Sequence, residues 1–187
     1  NNLFPQVIGA FNNNQVVDAA IWVKNYVETN QKLPNSVNID GINVNMYSFY
    51  YLLSTVVQNI YNHNDKTTYA SNYNGPQVHK EEISSGNMGL TELIGIANVV
   101  KIYMDKTRVL PAYASQVSLG PYMCWQSLLY TYCNLLKSYK DTGSLPMSVA
   151  VKPWKVISDP NIITATNEQV VTTATWLKNY VETNHQL

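Results

Sequence analysis

The sequence predicts a mostly α protein, built from tandem helix-hairpin repeats with short extended LPxxV segments. Three observations predict it. Residues 15–33, QVVDAAIWVKNYVETNQKL, return as residues 169–187, QVVTTATWLKNYVETNHQL, with 13 of 19 positions identical at an offset of 154. Half that offset, 77, lands on a weaker middle copy, VVKIYMDKTRVLP at 99–111. Apolar residues within the copies recur at helical spacing. A fixed period of this size marks an array of supersecondary units, each burying its apolar face against a neighbour. The expected division is copy 1 at 12–88, copy 2 at 89–165, and at 166–187 the first helix of a truncated copy 3, with the parent protein continuing.

The first helix is expected from about Asn13 to Gln31, on the stripe Val16, Ala19, Ala20, Val23 and Val27. Asn12 and Gln15 have the spacing of a capping box, and Thr166 and Gln169 repeat it. Pro34 forces the preceding residue out of the α region, so this helix stops before Leu33. LPNSVNI then reads as extended, and Asp40-Gly41 as a turn. A second helix is expected at Asn45–Asn62, a third at Leu90–Thr107 and a fourth at Pro121–Lys140, with Gly143 as its C-cap. Residues 63–88 carry no helical period and are too long for a structureless loop, so short strands or turns are expected there. At the 77-residue offset Met46 and Leu52 return as Met123 and Leu129, but Thr68-Tyr69 stands where the second copy has Leu145-Pro146.

Charged residues make up 13% of the chain and the net charge is zero. That excludes a basic footprint for nucleic acid and a polybasic membrane patch. Asn and Tyr, 23 and 14 residues, replace the missing charge. No apolar run approaches a membrane span of about 20 residues. Cys124 and Cys133, nine residues apart on one expected helix, lie too far apart to bridge each other.

The recurring string is a helix, LPxxV, a helix rich in Leu, Tyr and Phe, and a second LP followed by V-x-V-K-x-W. NYVETNQKLPNSVNIDGINVNMYSFYYLL and TGSLPMSVAVKPW carry it. This string resembles the pseudomurein-binding repeat of methanogenic archaea, found in wall-associated surface proteins and in pseudomurein-cleaving endoisopeptidases. The resemblance covers nearly the whole chain. It implies noncovalent attachment to pseudomurein, a wall polymer of sugar strands cross-linked by peptides, and a location outside the cell membrane. It implies a binding module without cofactor. The alternative is a self-associating structural repeat of a surface coat, contacting neighbouring repeats with no separate ligand.

The candidate ligand residues follow from side-chain chemistry. Trp22 and Tyr26 lie one helical turn apart, about 100° round from the Val23/Val27 stripe. Sugars stack flat C–H faces on such rings and hydrogen-bond to neighbours such as Lys24, Asn25 and Glu28. Trp176 and Tyr180 repeat the ring pair. Lys101 and Tyr103 belong to the middle copy, where Val99 replaces the tryptophan. Trp154, after Pro153, is a further candidate. Large rings at helical spacing also fill cores, so packing and ligand readings of Trp22 and Tyr26 both stand. Tyr47, Tyr50, Tyr51, Trp125, Tyr130 and Tyr132 are expected to fill the core with hydroxyls reaching outward. His63, His79 and His185 lack zinc-ligand spacing, and no Ser or Cys has a nucleophile signature. Glu81-Glu82 reads as a solvated turn, and no catalytic residue is assigned.

Overall fold

The computed structural model describes residues 6–159 and 167–184. Three helices stand close to their sequence-based bounds: α1 Asn13–Asn30, α2 Met46–Tyr61 and α3 Leu90–Thr107. α4 runs Trp125–Thr142, because the expected helical residues Pro121–Cys124 pair as a strand instead, and a short α5, Trp154–Ser158, follows. A further helix, α6, spans Asn167–Asn184. The fold class is nevertheless mixed α/β, not mostly α. Eight short strands among the described residues form four two-stranded antiparallel sheets. β2 (Ser36–Ile39) and β3 (Ile42–Asn45) form one hairpin, and β6 (Tyr113–Val117) and β7 (Gly120–Cys124) another. β1 (Val7–Phe11) pairs with β4 (Thr68–Ser71), and β5 (Gly86–Gly89) with β8 (Ser148–Val151). Each repeat is thus strand, helix, hairpin, helix, strand, its first and last strands closing on each other. A helical-hairpin expectation misses this because strand pairing across some sixty residues leaves no local period.

Local chemistry explains the boundaries. The capping box forms: the Gln15 backbone N–H donates to the Asn12 side chain at 2.9 Å, and the Asn12 N–H donates to Gln15 Oε1 at 2.7 Å. α1 and α3 both end on a left-handed residue, Gln31 at φ 56° and Arg108 at φ 61°. Asp40 and Gly41, at φ 49° and 85°, form the two-residue turn whose twist matches a β-hairpin. Gly143 caps α4 at φ 77°. The Cys124 and Cys133 thiols are buried and free.

The copies drift out of the 77-residue register. α2 is capped by Asn45 and α4 by Cys124, so Met46 corresponds to Trp125 and not to Met123. Two extra residues in the second hairpin region cause the slip. The strands drift further: Phe11 pairs with Thr68, while its counterpart Met88 pairs with Val149. Thr68 therefore corresponds to Val149 and not to Leu145, and the first copy keeps its last strand.

Packing crosses between the repeats. α1 lies chiefly on α4, α3 chiefly on α2, and α2 meets α4 in the middle. This reciprocal exchange is the pattern of a twofold interface, here within one chain. The core is continuous through it, from Phe49, Leu53 and Val57 on α2 to Leu129, Leu135 and Leu136 on α4, all at zero exposure. Tyr50 meets Tyr132 edge to face at 5.9 Å, and the Tyr132 hydroxyl donates to the Leu93 carbonyl at 2.8 Å. The linker from β4 to β5 runs along the second repeat, where Asn74 bridges Val109 and Glu82 bridges Tyr122. A Cβ on Gly120 would stand 2.2 Å from the Glu82 carbonyl oxygen, so that crossing needs glycine.

Candidate functional site

α1 carries candidate residues on two of its faces. On the outer one Trp22 is 49% exposed and its ring stacks on Tyr26, with centroids 5.4 Å apart and planes inclined by 29°. Trp22 thus stands at the surface, with the half-buried Tyr26 ring against it. Asn25 beside them is exposed. Trp22 borders a shallow depression of about 250 Å³ with Asp18, Asn38 and Asp40. On α3 the smaller Val99 stands in place of Trp22, and a groove of about 460 Å³ runs past Val99, Tyr103 and Tyr113. Trp176 is exposed on α6, whereas the side chain of Tyr180 lies outside the described residues, as do His185 and Thr166.

The other face meets the second repeat. Lys24 Nζ lies 2.6 Å from Glu28 Oε1, and the Tyr130 hydroxyl donates to the same oxygen at 3.0 Å. The reciprocal set repeats this: Lys101 Nζ is 2.7 Å from Asp105, and the Tyr51 hydroxyl donates to Asp105 at 2.8 Å. Each trio joins a first helix of one repeat to the second helix of the other. Partial burial pushes the Glu28 carboxyl up, but the Lys24 and Tyr130 hydrogen bonds and the Lys24 charge outweigh it, so it titrates below its ordinary value. Burial, then the Glu28 carboxylate, pushes the Tyr130 phenol up to about 12. Burial and Asp105 do the same for Tyr51, also to about 12.

The surroundings of the two trios differ. Beside Tyr51, the linker inserts Tyr73, whose ring stacks at 4.7 Å and 22° and is 5% exposed. Arg108 donates to the Tyr73 hydroxyl at 3.3 Å. Beside Tyr130 lies an open cleft of about 670 Å³ between α1, α4, β8 and α5. Its apolar wall includes Val27, Val149 and Ile157, and its polar groups include Glu28, Gln31, Asn134 and Lys152. Trp154 is half-buried and borders a second cleft of about 330 Å³ on the far side of α5, with Pro34, Tyr47 and Trp125.

Of the residues chosen from sequence, Lys24 and Glu28 enter the cross-repeat cluster, as does Lys101 in the reciprocal one. Trp22, Asn25 and Tyr26 form a separate platform, Tyr103 edges the α3 groove, and Trp154 flanks a different cleft. Nothing in the sequence singles out Asn134 and Lys152, and Tyr130, expected in the core with its hydroxyl outward, is half-buried with that hydroxyl on Glu28. Its signal was the recurrence of Tyr51 as Tyr130, hidden by the slip in register. Among the described residues no group of three or more His, Cys, Asp or Glu side chains could hold a metal ion. Nor is any described helix long and apolar enough to cross a membrane. No family model matches the chain, and no curated protein matches it.

Proposed function

We propose that this chain attaches noncovalently to pseudomurein and anchors a wall-associated surface protein or a wall-acting enzyme, outside the cell membrane. The carrying observation is the stacked Trp22–Tyr26 ring pair on the outer face of α1, with Trp22 half exposed and Asn25, Asp18 and Asp40 around it. A stacked aromatic platform edged by amide and charged groups suits a hydroxyl-rich ring, whose C–H face loses water on stacking. The repetition of this helix as α6 favours avidity, because tethered weak sites strengthen attachment without new contacts. Binding is the whole activity of this chain in our reading; where the parent is an endoisopeptidase, cleavage lies in another part of it. The test is cosedimentation with purified pseudomurein sacculi. The protein pellets with the wall, with modest salt sensitivity because net charge is zero. Recovery in the supernatant at every salt concentration refutes the proposal, and release of peptide from sacculi refutes a purely binding role.

A second reading draws on the apolar strip of α3, where Val99, Ile102 and Tyr103 are 66%, 59% and 44% exposed. Such a strip suits contact with neighbouring repeats in a coat. Concentration-dependent sedimentation without polymer, together with no pelleting, favours it over wall binding.

A further inference from the structure

The two halves of the molecule treat one position differently. In the first, the face of Tyr51 is covered by Tyr73, at 4.7 Å between centroids. In the second, Tyr130 occupies the place of Tyr51 and hydrogen-bonds Glu28 as Tyr51 hydrogen-bonds Asp105. There, among the described residues, no ring stacks on Tyr130, which lines the open cleft of about 670 Å³. The first half thus carries its own flat ring where the second half is open.

The cleft's chemistry narrows what fits. Arg108, which holds Tyr73, is replaced by Gln31 at the same left-handed cap, exchanging a charged donor for an amide that both donates and accepts. Asn134 adds a second amide, already in reach of the Tyr130 hydroxyl. Lys152 is exposed at the rim and, among the described residues, pairs with no carboxylate. Val149 and Ile157 supply apolar wall. An apolar wall, one aromatic ring and several mixed donor–acceptor groups match a pyranose: one C–H face to cover and hydroxyls that both give and accept. A plain aliphatic peptide side chain would leave the amides unpaired, at a cost in affinity.

We infer that the cleft between α1, α4 and α5 is a sugar site, in which a pyranose ring of the wall strand lies against Tyr130 as Tyr73 lies against Tyr51. This rests on the wall-binding proposal and adds a site distinct from the Trp22–Tyr26 platform. Glu28 accepts from ring hydroxyls, and Asn134 and Lys152 hold the substituents on the open side.

The test titrates the full chain with soluble sugar-strand fragments of pseudomurein, and separately with its cross-linking peptides. Tyr130→Ala and Lys152→Ala are compared with the unchanged protein, Tyr130→Trp keeps a ring, and melting curves verify that each variant is folded. The sugar fragments bind, Tyr130→Ala weakens them about tenfold or more, Lys152→Ala weakens them severalfold, and Tyr130→Trp stays near the unchanged protein. Binding of peptides alone overturns the sugar assignment. If sacculi and sugar fragments bind Tyr130→Ala as well as the unchanged protein, this site is refuted and wall attachment stands. If the unchanged protein binds neither sacculi nor fragments, both proposals fall.

Discussion

The Tyr130 hydroxyl lies 3.0 Å from the Glu28 carboxylate, bonding the second helix of one repeat to the first helix of the other. Tyr51 and Asp105 make the reciprocal bond at 2.8 Å. A double-mutant cycle on Tyr130→Phe and Glu28→Gln is expected to give a coupling of about 0.5–1 kcal/mol. A hydrogen bond to a charged group is worth more when buried, but Glu28 is 47% exposed and screened by water. Chemical denaturation measures it, and a coupling of zero would mean that the contact stabilises nothing.

The same pairs predict an alkaline response. Tyr51 and Tyr130 titrate near 12 in the folded protein against 10 in the free side chain. A raised phenol contributes stability that is complete below pH 10 and is lost as pH rises toward 12. The melting temperature is therefore expected to fall over that range. A Tyr51→Phe/Tyr130→Phe variant should show a shallower fall, while the other buried tyrosines keep part of it. Identical pH profiles would remove these two phenols from the account.

Reciprocal packing predicts that the repeats unfold together. α1 finds its main surface on α4 and α3 on α2, so neither repeat holds a complete core alone. Calorimetric and van't Hoff enthalpies for the region 6–159 should agree, as for one cooperative unit. A fragment ending at residue 85 is expected to be unfolded or to dimerise. Two resolved transitions would show that the repeats are independent.

Two core tyrosines should respond oppositely to loss of the hydroxyl. The Tyr50 hydroxyl is buried with no hydrogen-bond partner among the described residues, whereas that of Tyr132 donates to the Leu93 carbonyl. Tyr50→Phe is expected to be neutral or stabilising by about 1 kcal/mol, and Tyr132→Phe destabilising by about 1–2 kcal/mol. Equal losses in urea denaturation would mean that Tyr50 is satisfied in solution.

On the outer face of α1, Trp22→Ala is expected to weaken pelleting with sacculi several-fold. Its effect on stability should stay within about 1 kcal/mol, because the side chain is half exposed. A loss in the 3–5 kcal/mol range of a buried aromatic would return Trp22 to the core.

The sequence by itself determined the helices, because their signals are local. The Val16-to-Val27 stripe, the Asn12/Gln15 box, the Asp40-Gly41 turn and the Gly143 cap each act within a few residues, and each stands where its spacing places it. It also marked Lys24 with Glu28 and Trp22 with Tyr26, neighbours by helical spacing alone. Tertiary structure decided what depends on distant partners. GNMG at 86–89 has no alternation to announce a strand and becomes one by pairing with Val149 and its neighbours. Tyr130 reaches Glu28 because α4 crosses onto α1 of the other repeat, and a two-residue slip between the copies hides its likeness to Tyr51 from any fixed-period alignment. Helical period is written along the chain, but the partner of a strand or a helix face is set by what the closed core can bury.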